Sequence, residues 1–578
     1  MILQALVDYY DRKANDSESG IAPQGWERKE LPFLIVIDQD GKLVNVEDTQ
    51  EMEGKKKRAK SFLVPQSENR TNGIAPNFLW DNVEYVVGKV GKGKESRVAE
   101  QHKAFKERLE EHAGTPAIDS VLAFLARPTK LEELEAFPAW KDAADTDAFI
   151  SFKLVGQPEP VFRDREVMRI VDSPDDDGVD LQACLVSGTQ DALTIKHTPI
   201  KGVQGTKASG GRIVSFNFPA ACSFGKSQGA NAPVGETTAF KYTTALNTLL
   251  GKDSKQKMAV GDATMVFWAG KRHSFENDFA SLLQGNKDDP DQLTEAVTAL
   301  FQSIHDGAYD EDKEDTTFYI LGMAPNASRI SIRFWHVGTI AQMANSIATY
   351  FDDLSIVHGP AVQDHLPLWR LLVSVAAQGK TENIPPKLAG DVMRSILGNL
   401  PFPESLLQAA VQRAKIDNSS LYEYPRAKLI KACLNRKWRV GNPNNERSLN
   451  MSLDKDNINI GYRLGRLFAT LERIQQDANP GINATIRDKF YAAASSTPAT
   501  VFGNLMRLKN HHLSKIENQG CVIFFEKLLG EIIYQSDDKP GISAFPAHLS
   551  LADQGQFAIG YYHQKQDFFS KKVDTDNQ

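Results

Sequence analysis

The chain has 578 residues, 41% of them hydrophobic and 24% charged, which is enough for two to four domains with buried cores and excludes a disordered tail protein. Its net charge of -7 excludes a protein that coats nucleic acid through overall basicity, so any grip on polyanions must come from local patches. Cys184, Cys222, Cys433 and Cys521 lie far apart with no CxxC pair, which supports neither a disulfide framework nor a structural zinc site and suits a reducing cytoplasm.

In the N-terminal MILQALVDYYDRK, apolar Ile2, Leu3, Leu6, Tyr9 and Tyr10 are interrupted by Asp8 and Asp11 too early for a secretory segment, so an amphipathic helix is expected. Nowhere does an apolar run approach the roughly 20 residues of a membrane helix, and a soluble, cytoplasmic protein is expected. Residues 32–37 and 42–46, joined by an Asp40-Gly41 turn, read as a β-hairpin.

The densest basic cluster follows: Lys55, Lys56, Lys57, Arg58 and Lys60 lead directly into the loop Val64-Pro65-Gln66-Ser67-Glu68-Asn69-Arg70-Thr71-Asn72-Gly73. Lysines attract phosphates, while Arg and Asn side chains and a close-approaching glycine backbone can read groove edges, so the pairing suits a duplex-sensing loop. It equally matches a solvated basic loop. A second spread, Lys89, Lys92, Lys94, Arg97, Lys103, Lys106 and Arg108, is mixed with glutamates and reads as a helix surface. A mobile basic loop is expected across 201–212.

Strands of a mixed sheet are expected at 212–218, 263–269, 317–321 and 329–335, and Asp289-Pro290 opens a helix with Leu293, Val297, Leu300, Phe301 and Ile304 on one face. Gly225-Lys226-Ser227 imitates the end of a phosphate-binding loop, but Ala220 stands where its first glycine belongs and a loop follows where a helix should start. Lys226, Gln228 and Asn231 can instead present cationic and amide groups from a surface loop. His305-Asp306 lacks the further ligands of a metal phosphohydrolase, and the acidic run 310–315 reads as a solvated loop.

After about residue 338 the strand signals stop. Short helices are expected at 339–354, 367–378, 386–397, 403–416 and 424–434, then a polar linker around 441–445. From 451 four longer amphipathic helices, beginning near Ile458, Ala484, Cys521 and Leu549, suit a compact bundle. The first of them carries Arg463, Arg466 and Arg473 opposite its apolar side, a stripe that can follow the phosphates of a single strand, with Lys515 extending it. The expected fold class is therefore α+β: a mixed α/β domain with antiparallel strands over 1–340, a helical connecting region over 341–440 and a C-terminal four-helix bundle over 451–578.

Several long segments, among them GWERKELPFLIVIDQDGKL, RTNGIAPNFLWDNVEYVVG, SFGKSQGANAPVGETTAFKYTTALNTLL, LGMAPNASRISIRFW, GYRLGRLFATLERIQ and QGQFAIGYYHQKQDFF, together resemble the large subunit of the CRISPR Cascade complex of subtype I-C. They run in order along almost the whole chain. The resemblance implies a subunit without catalytic centre, metal or cofactor that inspects the PAM beside a target whose sequence the guide RNA reads by pairing. It further implies contact with double-stranded target DNA, the displaced single strand, the Cascade backbone, guide-end and small subunits, and a recruited helicase-nuclease. On that basis Arg70, Thr71, Asn72, Gly73 and Asn77 are expected at the PAM, Lys55, Lys56, Lys57, Arg58 and Lys60 on flanking phosphates, and Lys226, Gln228 and Asn231 on a finger or wedge. Arg463, Arg466, Arg473 and Lys515 are expected on single-stranded DNA. A metal-dependent nuclease subunit of the same defence system is the competing expectation. The resemblance also implies that the bundle is made separately from an internal start, for which Met451 is suitably placed.

Overall fold

The computed structural model describes residues 1–54, 56–68, 70, 73–91, 93–173, 181–216, 218–284, 289, 291–309, 315–417, 419–442, 449–534 and 541–569. The chain forms two compact units, one of residues 1–201 with 208–248 and one of residues 202–207 with 249–578. This division falls inside the 1–340 stretch, because strand signals continue past it into a second sheet with a core of its own.

In the first unit the hairpin read from the sequence is present. Phe33–Ile37 pairs antiparallel with Leu43–Asp48, and the Asp38 carboxylate accepts the Asp40 and Lys42 N-H groups to shape the turn. Gly41 sits there at φ +73°, with the Phe124 backbone so close that a Cβ would lie 2.5 Å from its nitrogen. Phe33–Ile37 also pairs in parallel with Phe149–Leu154, which pairs antiparallel with Trp80–Asn82, giving a four-stranded mixed sheet. The intervening chain supplies helices Glu95–Glu110, Pro116–Ala126 and Pro138–Thr146, whose Phe105, Phe124 and Trp140 join the sheet's Ile35, Ile150 and Phe152 in one core. A second pair, Trp26–Glu30 with Ser61–Pro65, leads into the hairpin Gln50–Glu53 with Lys56–Ala59. Among the described residues no strand forms at 212–218. Only Gly211 bridges to Ile200, and glycines at 205, 210 and 211 leave that apolar run without a ladder to join.

The second unit opens with an antiparallel meander, Lys257–Val260, Ala263–Ala269, Thr317–Asn326 and Arg329–Thr339, in sequential order. Its apolar face, with Met265, Phe267, Phe318 and Ile320, shares one core with helices Ile340–Leu354, Leu368–Val375, Leu388–Leu397, Glu404–Ile416 and Ser420–Gly441. The expected connecting helices thus pack on the sheet. Ile340–Leu354 begins with a capping box in which Thr339 and Gln342 satisfy each other's backbone N-H groups. Ser420–Gly441 buries Arg426, Lys428, Lys431 and Arg436. Arg436 Nε lies 2.7 Å from the fully buried Asp353 carboxylate, and its Nη1 donates to the Ser395 and Leu400 carbonyls. A buried cation needs such partners to offset the loss of hydration.

The C-terminal helices Ile460–Ala478, Ile486–Ala494, Phe502–Leu513, Gln519–Ile533 and Leu551–Asp567 have their own core around Phe468, Phe502, Phe525 and Phe557. Phe502–Leu513 adds a helix to the four expected. Ile460–Ala478 and Leu551–Asp567 approach so closely that a Cβ on Gly465 would lie 2.1 Å from the Phe557 carbonyl oxygen, and one on Gly560 at 2.1 Å from that of Tyr462. Gly465→Ala is therefore expected to destabilise the protein by about 1–3 kcal/mol through overpacking. Gly530→Ala, where a Cβ meets open space in a helix, should be neutral or stabilising by up to about 1 kcal/mol. Urea unfolding of the two variants checks the opposite signs.

Candidate nucleic-acid interface

Asp81 organises the expected PAM loop. Its side chain is 0% exposed on the edge strand Trp80–Asn82, and both carboxylate oxygens are filled. Arg70 Nη1 donates to Oδ1 at 3.1 Å and its Nη2 pairs with Oδ2. The Asn77 backbone N-H donates to Oδ2 at 2.9 Å and that of Asn82 to Oδ1 at 2.9 Å. The Arg70 guanidinium also lies 4.2 Å from the Tyr85 ring centroid, and its Nε donates to the Ala75 carbonyl.

These contacts correct two expectations. Arg70 spends its planar donor fork on Asp81, since leaving a buried carboxylate uncompensated costs more than any gain from pointing outward. Asn77 is only 3% exposed, and its Oδ1 accepts the Glu68 N-H at 3.0 Å, so it closes the loop rather than meeting a ligand. Trp80 donates its indole N-H to the Pro65 carbonyl at 2.8 Å, and Arg108 pairs with Glu68 at 2.7 Å and bonds the Pro76 carbonyl. Both feet of the loop are thus tied down.

Gly73 sits on the loop's exposed side, with nothing within 4 Å of a hypothetical Cβ, so its backbone is open to close approach. Thr71 and Asn72, and Lys55 of the basic run, lie outside the described residues. The basic run itself forms a strand, paired so that Glu51 opposes Arg58 and Met52 opposes Lys57. Lys56 belongs to it through its backbone. Lys57 and Lys60 are exposed, while Arg58 lies 3.7 Å from Glu30.

A cation that sequence reasoning missed stands nearby. Lys29, on Trp26–Glu30, places its Nζ 3.5 Å from the Phe149 ring centroid and 5.3 Å from that of Trp80. Burial first, then repulsion from Lys201, lowers its pKa to about 8, with Glu27 and Asp81 opposing and Arg70 adding to the repulsion. An isolated lysine between charged strand residues carries no sequence signal of such surroundings.

In the loop 223–231, Asn231 is also inward. Its Oδ1 accepts the Ser223 N-H at 3.0 Å, and its Nδ2 donates to the Lys226 and Gln228 carbonyls at 3.2 and 3.0 Å. Lys226 is exposed, and Gln228 is half-buried with φ +44°.

The arginine stripe divides. Arg463, 7% exposed, donates to the Ile532 carbonyl from Nε at 3.0 Å and Nη2 at 2.6 Å, and to the Tyr534 carbonyl. Arg466, 1% exposed, donates to Gln564 Oε1 at 3.1 Å and pairs with Glu531 at 2.6 Å. Neither can track a strand; they tie Ile460–Ala478 to Gln519–Ile533 and Leu551–Asp567, because the side opposite the apolar stripe faces neighbouring helices rather than water. Arg473 is half-exposed and pairs with Asp477 at 3.1 Å, and Lys515 is exposed.

Among the described residues no helix is long and apolar enough to cross a membrane, and no group of three His, Cys, Asp or Glu residues is placed to hold a metal. A family model described as CRISPR-associated protein (Cas_Csd1) matches residues 6–569. The chain belongs to this CRISPR-associated family. Membership gives it a part in CRISPR antiviral defence. Comparison with curated proteins finds no match.

Two predictions test this geometry. Arg70→Ala should cost about 3 kcal/mol by stranding the Asp81 charge, and Asp81→Asn in that background should recover part of it, as denaturant unfolding of single and double variants will show. Because the pKa of Lys29 is lower in the folded chain than in the unfolded one, folding disfavours its protonated form. Its penalty is full below about pH 8 and relieved as pH rises from there toward the unfolded value. Relative to wild type, Lys29→Met should therefore be most favourable for stability near pH 7, and the difference should shrink above pH 8 in unfolding curves.

Proposed function

We propose that this chain is the non-catalytic large subunit of a subtype I-C Cascade. In this reading it recognises the PAM in duplex DNA, helps start R-loop formation, stabilises the displaced strand and supports recruitment of the helicase-nuclease. It acts in the cytoplasm beside the guide RNA and the backbone, guide-end and small subunits, with no cofactor.

The observation that carries the reading is the loop 66–77, braced from below by Arg70 and Asp81 while Gly73 stays open above. An accessible backbone flanked by braced residues can approach a groove at a smaller ordering cost on binding. With Arg70 and Asn77 turned inward, base contact falls to Thr71, Asn72 and the Gly73 backbone, and phosphate contact to Lys55, Lys56, Lys57 and Lys60. Phosphate contacts position the duplex, and base contacts discriminate. On the C-terminal helices, Arg473, Lys515 and the exposed Arg507 remain for the displaced strand.

In the assembled complex, Lys57→Glu with Lys60→Glu should weaken binding of every target alike and flatten the log affinity against log salt slope by about two. Asn72→Ala should lower discrimination between PAM sequences with a smaller general loss. Titration of targets differing only in the PAM, at several salt concentrations, measures both. Unchanged affinity, slope and discrimination would show that the loop and hairpin do not meet DNA.

A further inference from the structure

Lys29 alternates along Trp26–Glu30 onto the same side as Glu27, whose Oε2 accepts the Ser67 hydroxyl at 2.9 Å at the foot of the loop 66–77. Its Nζ rests 3.5 Å from the Phe149 ring centroid, and Phe149 neighbours Trp80 on paired strands with centroids 5.7 Å apart. A lysine on such rings usually buries its methylene stem and keeps its head in water. Here burial is the largest influence on the head group itself, and among the described residues no carboxylate lies within 4 Å of it. Glu27 and Asp81 attract it only from further away, and the Asp81 oxygens are already filled by Arg70 and two backbone N-H groups. The strongest repulsion Lys29 meets comes from Lys201, with Arg70 adding to it. Lys201 has an exposed side chain, and its backbone is set by an N-H bond to Asn247 Oδ1 at 2.9 Å and by the pairing of Ile200 with Gly211. Two ammonium groups are thus gathered with no acid partner among the described residues, an arrangement that costs free energy until an anion joins it.

The geometry points to Lys29 and Lys201 as a two-lysine seat for one backbone phosphate of the target duplex, beside the loop 66–77. A phosphodiester carries one negative charge and free oxygens that accept from both ammonium groups, and charge-assisted bonds of this kind are the strong ones. Ser67 on Glu27, and Arg70 on Asp81, tie the loop to the strands that carry Lys29 and its ring platform. A duplex whose groove meets the loop therefore brings its own backbone past the seat, where a contact blind to sequence fixes its register. The inference rests on the DNA-sensing reading above and adds a phosphate contact that responds to pH. Below about pH 8 Lys29 is already protonated; above it, pairing with a phosphate requires proton uptake, so affinity falls as pH rises.

The test titrates a PAM duplex too short to open onto the complex assembled with guide RNA and the sister subunits, between about pH 7 and pH 9. Wild-type affinity should fall about tenfold over that range. Lys29→Met should lose about tenfold at pH 7 and make the log affinity against log salt slope shallower by about one. Unfolding cannot account for that loss, because the same substitution is expected to favour stability near pH 7. Lys29→Arg, whose charge does not titrate, should restore affinity and leave it flat with pH. Lys201→Gln should weaken binding at pH 7 and move the fall to higher pH, since it removes the repulsion on Lys29. A flat wild-type profile, a fall that persists in Lys29→Arg, or a wild-type profile in Lys201→Gln would each overturn the assignment while leaving the PAM-loop reading intact. Loss of guide RNA from the Lys29→Met complex with DNA affinity unchanged would give the phosphate to the RNA and overturn it as well. A wild-type complex that binds duplexes with and without the PAM alike would remove the loop reading and this inference with it.

Discussion

A carboxylate with no access to water holds the feet of the loop proposed to meet DNA. Asp81 is compatible with folding only if its charge is met in place, and Arg70, eleven residues earlier, does so with two-point geometry while the Asn77 and Asn82 backbones fill the remaining lone pairs. Arg70 and Asn77 are therefore held at fixed points on Asp81. Tyr85 beneath the guanidinium and the Trp80 bond to Pro65 tie the same point to the sheet. Gly73 lies exposed between those two fixed points.

The same division of labour runs through the cations of the whole chain. In a protein of net charge -7, Arg426, Lys428, Lys431, Arg436, Arg463 and Arg466 are buried, directed to carboxylates and carbonyl oxygens. Lys57, Lys60, Lys226 and Lys515 remain on the surface. Counting charges along the sequence cannot separate the two groups, because both are spaced as exposed helix or strand residues would be. The proposed binding of polyanions would depend on surface cations such as these, not on the buried ones.

What the sequence makes legible follows from the range of the interactions involved. The hairpin from Phe33 to Asp48 is announced by two runs of β-formers around an Asp-Gly turn, and the helix Ile340–Leu354 starts at a capping box whose partners, Thr339 and Gln342, are three residues apart; both signals lie within a few residues. The pairing of Arg70 with Asp81 joins positions whose intervening loop has no periodicity, so Arg70 looks like a free base reader. Arg463 and Arg466 mislead for another reason. A helical pattern shows which residues share a side but not that Gln519–Ile533 and Leu551–Asp567 cover it. Gly465 and Gly560 were the available signal, since glycines in a central helix mark a close neighbour. The basic run from Lys56 hides its strand because Lys56, Lys57 and Arg58 are consecutive cations with no apolar alternation.

Family membership gives the setting, CRISPR antiviral defence, and the braced loop gives the surface through which this chain is proposed to act there. The most direct measurement places a photoreactive amino acid at position 73 in the assembled complex and maps its crosslinks on target DNA. The account predicts adducts on the base pairs of the PAM duplex, lost when that duplex is changed to a non-recognised sequence. Crosslinks confined to guide RNA or sister subunits, or DNA adducts indifferent to the PAM, would contradict it.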